Sequence, residues 1–207
     1  KVFVVGNIGN PYTLEAEKTT PDTVTVGEIS SFQLETVESF RPNVSAILNI
    51  TPDHLNRHHT MEAYVEAKER IAMCQGPEDI CVLNYENAYT RDFGGRCPAR
   101  AVYFSSAREL AEGYFLRGEE ICLARDGQVR ALLNIHRDMN LVGLCNVENV
   151  MAAIAIATGM GVPLDTILGA VRVFHAVEHR IEYVATKRGV AYYNDSKGTN
   201  PDAAIQA

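Results

Sequence analysis

A chain of 207 residues is long enough for one large domain, or for one domain with part of a second. Its content of 46% hydrophobic and 22% charged residues predicts a packed globular core and is not typical of disorder. The net charge of −7 argues against nucleic acid as the main partner, because binding to that backbone requires clustered lysine and arginine.

Short β-branched segments alternate with helical patterns through the first half of the chain. The predicted buried strands are VFVV at the start, TVTV (23–26), VSAILNI (44–50) and ICVL (80–83). The predicted helices lie near residues 13–18, 31–40, 60–74 and 85–92. Strands separated by helices indicate βαβ units, and therefore an α/β fold with a mostly parallel, doubly wound sheet and helices on both faces.

The second half of the chain departs from this alternation. Within residues 101–134, the segment YFLRGEEICLARDGQVRALLN predicts a small antiparallel meander, with its strands linked by RGEE and by a DG turn. Two helices follow: NVENVMAAIAIATGMGVP, with Asn146 as N-cap and Glu148 in the first turn, and PLDTILGAVRVF. A β-hairpin around residues 187–189 then leads to a polar loop and a helix start. We place a domain boundary near residue 175.

Cysteine usage and hydropathy favour a reducing compartment. The five cysteines are odd in number and form no CxxC pair, which argues against a disulfide framework and a thiolate zinc site. No apolar run approaches the roughly 20 residues that span a bilayer. No signal peptide is visible, so a cytoplasmic location without membrane insertion is expected. The chain opens with the strand pattern KVFVVG and no methionine, which we interpret as the start of a fragment.

Lys68 falls on the apolar side of the helix predicted over residues 61–74. Thr60 is a suitable N-cap, and at about 100° per residue Lys68 projects between Tyr64 and Met61. The polar side is predicted to hold Glu62, Glu66, Glu69 and Arg70. Two interpretations stay open. Lys68 is either a lysine whose ammonium reaches water, or a buried amine with a lowered pKa that takes up CO2 to form a carbamate, a Mg2+ ligand.

Two further polar groups follow buried strands. Glu28 ends the strand TVTVGE, and His54 lies in the loop NITPDHLNRH that leaves the strand VSAILNI. Open α/β sheets bind their ligands at the carboxyl ends of strands, so Glu28, His54 and a modified Lys68 are predicted to converge. A solvated charge for Glu28 and a loop cap for His54 are the alternative interpretations.

Several motifs, in this order, make the chain similar to a known enzyme family. They are GNIGNP (6–11), EISSFQLE (28–35), NITPDHLNRH (49–58), EAKERI, NVENVMAA (146–153), EHRIE (178–182) and NDSKGTNPDAA (194–204). Together they cover almost the whole chain and resemble the Mur ligases. The motif EISSFQLE resembles the members that add D-glutamate to UDP-N-acetylmuramoyl-L-alanine. The resemblance implies a cytoplasmic, monomeric ligase of peptidoglycan precursor synthesis.

The same resemblance implies the chemistry and the cofactors. ATP phosphorylates the substrate carboxylate, and the incoming amine attacks the acyl phosphate. Two Mg2+ ions neutralise the phosphate and carboxylate charge. By resemblance Glu28 binds one Mg2+, while His54 and a CO2-derived carbamate on Lys68 serve the second. Lys197 is implied to supply positive charge to the reacting phosphate, and Lys68, His54 and Lys197 are the implied catalytic residues.

Binding residues are also implied by the resemblance. Those for the muramoyl-alanine and D-glutamate substrates are Asn7, Ser30, Gln33, Arg57 and Thr199. Those for the nucleotide are Asn146, Asn149, His179, Arg180 and Asp195. For Asn146, a plain helix cap remains the alternative. The chain departs from the family pattern at Asn56, Cys145, Ala176 and Gly198, none of which is a core catalytic group.

The family's phosphate-binding loop, GxxxxGK[ST], does not occur in this sequence. By resemblance, residues 1–174 form the central ATPase domain without that loop. Residues 175–207 form the hinge and the start of the C-terminal ligase domain. We therefore expect residues 1–207 alone to be inactive, and the complete enzyme to act on UDP-N-acetylmuramoyl-L-alanine, D-glutamate and ATP.

Other functions stay open from the sequence. A carbamylated-lysine metallohydrolase would explain His54, His58, His59 and Lys68, but the HxH pair that it requires is missing from the sequence. A sibling ligase such as a folylpolyglutamate synthase shares the carbamate, although SSFQLE argues against it. A binding scaffold without catalysis would have lost the metal ligands, and all of them are present.

Overall fold

A computed structural model describes residues 1–199 and 204–205. The strands are β1 (Val2–Gly6), β2 (Val24–Glu28), β3 (Val44–Ile47), β4 (Ile80–Asn84), β5 (Arg100–Ser105), β6 (Gly113–Arg117), β7 (Glu120–Arg125), β8 (Gln128–Asn134), β9 (Glu182–Lys187) and β10 (Val190–Asn194). The helices are α1 (Tyr12–Ala16), α2 (Ser31–Leu34), α3 (Leu55–His58), α4 (Met61–Glu69), α5 (Ala88–Gly94), α6 (Leu144–Gly159) and α7 (Leu164–Val173).

The main sheet has six strands in the order β3-β4-β5-β6-β7-β8. Strands β3 to β6 run parallel to their neighbours, whereas β6, β7 and β8 form the predicted antiparallel meander. Strands β1 and β2 form a separate parallel pair, and β9 and β10 form the predicted hairpin. Every residue of β4 is buried, as expected for a strand covered on both faces.

Helices cover both faces of the main sheet, as predicted. Successive residues of a strand point to opposite faces, so Val82 and Leu83 of β4 belong to different clusters. Val82 packs with Met151 of α6 and with residues of α7. Leu83 packs with Tyr64 of α4 and Phe93 of α5. Within the described residues, no helix combines the length and the apolar character needed to cross a membrane.

Several predicted helix boundaries were wrong. The helix predicted over residues 31–40 is confined to the single turn of α2, and α4 continues beyond Glu69 only as a 3₁₀ turn, Arg70–Ala72. Helix α6 begins at Leu144 with Gly143 as its N-cap, so Asn146 is not the cap. Gly143 has φ 92°, a conformation that glycine tolerates, and this turns the chain into the helix before Asn146 is reached.

Acidic residues of two helices also differ from expectation. The first turn of α6 holds no acidic residue, and Glu148 instead accepts hydrogen bonds from Ser106 Oγ (2.5 Å) and Asn84 Nδ2 (3.4 Å). Glu69 does not lie on a solvated face of α4. It is 8% exposed and accepts a hydrogen bond from Arg96 Nη2 (2.5 Å). Both carboxylates are thus paired with donors from another segment, and for the buried Glu69 this partner offsets the cost of removing the charge from water.

Gln75 links the end of the α4 segment to two strands. Its side chain is buried, its Nε2 donates to the carbonyls of Pro42 (2.9 Å) and Ile80 (3.1 Å), and its Oε1 accepts from Ser45 Oγ (2.7 Å). These partners lie at the starts of β3 and β4. One amide group therefore satisfies buried polar groups of two neighbouring strands.

We expect Gln75→Leu to lower the free energy of unfolding by about 2–4 kcal/mol, because it removes three hydrogen bonds, one of them from the buried Ser45 hydroxyl. Gln128→Leu, on the exposed surface of β8, is the matched control and should change stability by less than about 0.5 kcal/mol. Urea denaturation followed by circular dichroism measures both. Equal stabilities of the two variants would contradict the role given to Gln75.

Candidate active site

The carboxyl ends of β1 and β2 hold Asn7 and Glu28 against each other. The Asn7 backbone N–H donates to the Glu28 carbonyl (2.7 Å), and Asn7 Nδ2 donates to Glu28 Oε1 (3.0 Å). Gly6, opposite Glu28, has φ 109°, and a Cβ there would lie 2.2 Å from the Glu28 carbonyl oxygen. Only glycine allows this approach of the two strands. The Glu28 carboxylate is therefore held by its neighbour but remains exposed.

Ser30 and Gln33 form a capping box around α2. Ser30 Oγ accepts from the Gln33 backbone N–H (3.3 Å), and Gln33 Oε1 accepts from both the backbone N–H (2.9 Å) and the hydroxyl (3.0 Å) of Ser30. Gln33 Nε2 makes no hydrogen bond within the described part of the chain. Ser30 and Gln33, both predicted to contact substrate, thus stabilise the turn that begins α2, and the Gln33 amide N–H group remains available as a donor.

His54 stands at the N-terminus of α3 in the left-handed conformation, with φ 55°. It occupies the N-cap position of this helix, where its backbone carbonyl accepts from the Arg57 and His58 N–H groups, but its side chain makes no capping hydrogen bond. The ring centroid lies 4.9 Å from that of Phe32 and 6.4 Å from that of Tyr64, and Nδ1 lies 3.7 Å from Asp53 Oδ1. Non-glycine residues with positive φ are uncommon and concentrate at functional sites.

Lys68 lies on the inner side of α4, as its spacing predicts. Thr60 Oγ1 caps this helix by accepting from the Ala63 N–H (3.2 Å), and Lys68 Nζ lies 5.1 Å from the centroid of the Tyr64 ring. Burial lowers the pKa of Lys68, while the negative charges of Asp53 and Glu28 oppose that effect. The amine is therefore partly desolvated and within electrostatic range of two carboxylates.

Two members of this group were missed by the sequence reasoning. Asp53 lies within electrostatic range of Lys68 and Tyr64. Burial of the Tyr64 hydroxyl raises its pKa most, and the negative charge of Asp53 raises it further. Tyr64 packs between His54 and Lys68. Both had a signal in the sequence, because Asp53 directly precedes His54 and Tyr64 is one helical turn before Lys68 on the same face.

The donor atoms of this group suit Mg2+ only in part. Glu28 and Asp53 offer carboxylate oxygens, the ligand type that Mg2+ prefers. Across residues 1–199 and 204–205, however, no three His, Cys, Asp or Glu side chains lie close enough to hold a metal ion. The predicted ligands Glu28, His54 and Lys68 fit Mg2+ if Lys68 carries a carbamate, which adds the missing oxygens.

Arg57 forms an ion pair with Glu35 at the protein surface. Its Nη2 donates to Glu35 Oε2 (2.7 Å), its Nε lies 3.4 Å from Glu35 Oε1, and its guanidinium carbon lies 5.6 Å from the Phe32 ring centroid. The hydrogen bond from Arg57 lowers the pKa of Glu35. Contact of Arg57 with substrate stays a prediction.

The predicted nucleotide residues of α6 lie at its first turns. Asn146 Nδ2 donates to the Val142 carbonyl (2.8 Å), and Asn149 Nδ2 lies 3.5 Å from Asn146 Oδ1. Asn149 is exposed and Asn146 is half-buried. The two amides thus form a polar edge beside the helix start.

The predicted hinge is a turn fixed by hydrogen bonds to the segment after β10. His179 has φ 68°, its N–H donates to Glu182 Oε2 (2.9 Å), and its carbonyl accepts from the Lys197 N–H (3.0 Å). Asp195 Oδ1 accepts from the Ile181 N–H (3.1 Å). His179 and Asp195 therefore have structural contacts of their own, and the predicted helix start after Thr199 lies largely outside the described residues.

Asp195 of the predicted hinge lies within electrostatic range of Cys145 at the start of α6. Burial raises the pKa of the Cys145 thiol, and the charges of Glu148 and Asp195 add to that effect. The side chains of the remaining predicted residues of this group are exposed; they are Arg180, Lys197 and Thr199. Within residues 1–199, no hydrogen bond or ion pair joins this group to the group around Glu28, His54 and Lys68.

The fold is an α/β domain in which polar side chains follow the carboxyl ends of parallel strands, the usual ligand-binding edge of such sheets. Residues 4–157 match the Mur ligase middle domain. The chain belongs to the Mur ligase family.

The sequence is also similar to individual ligases of known name. The chain is 61% identical over 206 residues to the UDP-N-acetylmuramoylalanine--D-glutamate ligase of Lachnoclostridium phytofermentans, covering 100% of this chain and 45% of that protein. It is 59% identical over 207 residues to the ligase of the same name from Lachnospira eligens, covering 100% and 46%. The chain thus spans about half the length of the relatives it matches.

Solved structures confirm the fold. A MurF ligase from Thermotoga maritima in complex with ADP has a TM-score of 0.69 to this chain at 17% identity, covering 99% of this chain and 49% of that one. A pseudomurein peptide ligase type C from Methanothermus fervidus has a TM-score of 0.66 at 16% identity, covering 100% and 55%.

The lowered pKa of Lys68 has a consequence for stability. Because the folded pKa lies below the unfolded value of about 10.4, the unfolded chain binds more protons between these two pKa values. Stability should therefore rise with pH through that window. We expect the difference in unfolding free energy between wild type and Lys68→Met to shift in favour of wild type as pH rises from 7 towards about 10. Urea denaturation in CO2-free buffer measures it, and a difference independent of pH would contradict the burial of the amine.

Proposed function

We propose that this chain is the middle domain of an ATP-dependent ligase that joins D-glutamate to UDP-N-acetylmuramoyl-L-alanine, a cytoplasmic step of peptidoglycan precursor synthesis. The observation that carries the proposal is the identity of 61% and 59%, over the whole chain, to ligases of that name. The sibling-ligase alternative has no comparable support. The complete enzyme would act as a monomer, with residues 1–174 as the central domain and residues 175–207 as the hinge and the start of the next domain.

The group around Lys68 is assigned to the metal-binding side of the site. A neutral amine is required for CO2 uptake, and burial of Lys68 supports that state. In carbamate formation the Lys68 nitrogen bonds to the carbon of CO2, the electron pair of one C=O bond moves to its oxygen, and the nitrogen releases a proton. Glu28, His54 and the carbamate would then hold two Mg2+ ions. When bound, these ions supply positive charge that offsets the ATP phosphates and the substrate carboxylate.

The residues at strand and helix ends are assigned to substrates. For UDP-N-acetylmuramoyl-L-alanine these are Asn7, Ser30, Gln33 and Arg57. The exposed Nε2 of Gln33, which makes no hydrogen bond within the described residues, supports its assignment, because an amide donor suits a carbonyl or carboxylate oxygen. Thr199 is assigned to the D-glutamate side.

The nucleotide is assigned to the polar edge of α6 and to the hinge. The residues are Asn146, Asn149, His179, Arg180 and Asp195. The polar start of α6 supports this placement, and the charge of Asp195 lies within electrostatic range of Cys145 in the first turn of that helix. Lys197 is assigned to the reacting phosphate, where its exposed ammonium would stabilise developing negative charge.

Glu28→Gln tests the metal assignment in the complete enzyme that contains this chain. Glutamine keeps an amide oxygen that can accept from Asn7, so folding should be retained while the charge is lost. We expect kcat to fall by about 10²-fold or more, as for the loss of one electrostatic contact to the transition state. Glu17→Gln, which removes an exposed acid on α1's C-terminal side, is the control and should leave kcat unchanged. An unchanged rate for Glu28→Gln at saturating Mg2+ would make Glu28 a solvated surface charge.

Lys68→Arg tests the carbamate. Arginine keeps the positive charge but cannot be carbamylated, and a cation beside Mg2+ is repelled by several kcal/mol at an effective dielectric constant of about 20. We expect a folded enzyme with nearly no ligation activity, whereas Lys18→Arg on the exposed end of α1 retains full activity. Wild-type activity should also fall in CO2-free buffer and return with bicarbonate. If Lys68→Arg is as active as wild type, Lys68 is a lysine with a solvated ammonium and does not serve as a metal ligand.

A further inference from the structure

The one-turn helix α2 depends on neighbouring segments for its shape. It has four residues, and an isolated helix of that length is not stable in water. Its N-terminal end is closed by Ser30 and Gln33, which the proposed function assigns to substrate binding. The position of these two side chains is therefore only as well defined as the position of α2.

Arg70 holds the C-terminal end of α2. Its Nε donates to the Leu34 carbonyl (2.8 Å), and its Nη2 donates to the Val37 carbonyl (2.6 Å). The last carbonyls of a helix have no partner within the helix. The planar guanidinium reaches both carbonyls at once, which the single ammonium of a lysine does less well.

Other contacts tie α2 to the same neighbouring segment. Ser31 Oγ and His58 Nε2 are 3.0 Å apart in the protein interior, and Glu35 binds Arg57. All three partners of α2 belong to residues 54–70, the segment that also carries His54 and Lys68. Helix α2 is thus connected directly, by side-chain hydrogen bonds, to the segment that contains α4 and Lys68.

We propose that Arg70 is a positioning residue that fixes α2, with Ser30 and Gln33, relative to Lys68. The proposal rests on the proposed function, because it takes α2 as part of the muramoyl-alanine site. Both hydrogen bonds that Arg70 donates end on backbone carbonyls of the α2 segment, so it acts through that turn and not on the reacting atoms. Without Arg70 the C-terminal end of α2 loses two charge-assisted hydrogen bonds, and its position relative to Lys68 rests on the remaining Ser31–His58 and Glu35–Arg57 contacts.

Arg70→Met in the complete enzyme removes both donors and keeps an apolar stem. We expect KM for UDP-N-acetylmuramoyl-L-alanine to rise by about tenfold or more, the factor for loss of one or two charge-assisted hydrogen bonds. The KM for ATP should change by less than about threefold, because the nucleotide residues do not touch α2. Arg70→Lys should recover part of the loss, since it restores one charged donor.

Arg96→Met is the matched control. Arg96 also anchors α4, through Glu69, but to the segment before β5 and not to α2. A general loosening of α4 would therefore appear in this variant too. The proposal is supported if Arg96→Met lowers the melting temperature without raising the substrate KM. It is overturned if both variants raise every KM or lower kcat to the same extent.

Hydrogen exchange supplies a readout that does not depend on turnover. Backbone amides of residues 33–37 should exchange about tenfold faster or more in Arg70→Met than in wild type, and at the wild-type rate in Arg96→Met. Unchanged exchange would overturn the proposal, and faster exchange with an unchanged substrate KM would overturn it as well. If wild-type enzyme does not ligate D-glutamate, the proposed function is wrong, while the exchange rates still decide whether Arg70 holds α2.

Discussion

The site depends on one electrostatic compromise, the burial of the Lys68 amine close to two carboxylates. Desolvation favours the neutral amine, and the charges of Asp53 and Glu28 favour the cation. Neither carboxylate forms an ion pair with Lys68 within 4.0 Å among the described residues, so the amine is not locked into a salt bridge. The placement of Tyr64, the conformation of His54 and the attachment of α2 all serve to keep this arrangement in place.

Most of the fold prediction rested on short apolar runs that indicate strands and alternate with helical patterns. The apolar run ICVL forms β4, which is buried on both sides as predicted. The predicted burial of VFVV and TVTV was largely wrong, because β1 and β2 form a separate two-stranded sheet whose valines at 2, 4, 24 and 26 are exposed. Strand β5 was missed, because its identity depends on pairing with β4 and β6 and not on a local signal. The length of α2 was overestimated for a related reason, since the arginine that ends it comes from a helix 36 residues further along the chain.

The candidate site was predictable where spacing determines direction. Lys68 follows Tyr64 by one helical turn, so its inward projection was foreseeable. The left-handed backbone of His54 and the proximity of Asp53 were not, because they depend on how the loop after β3 folds against Phe32. Glu69 shows the opposite error. A charged residue was assigned to solvent because its partner, Arg96, is distant in sequence.

The fully buried strand β4 lies between the two groups of candidate residues, the group around Lys68 of α4 and the group at the start of α6, and both helices pack against it. Val82 supports α6 with its amide edge, while Leu83 supports α4 with its lysine, and neither side chain has free space around it. At the end of the same strand, Asn84 contacts Glu148 of α6. A displacement of one helix layer would therefore change the packing on the opposite face of β4. The two groups of candidate residues, between which the described part of the chain has no polar contact, are coupled through the packing of this one strand.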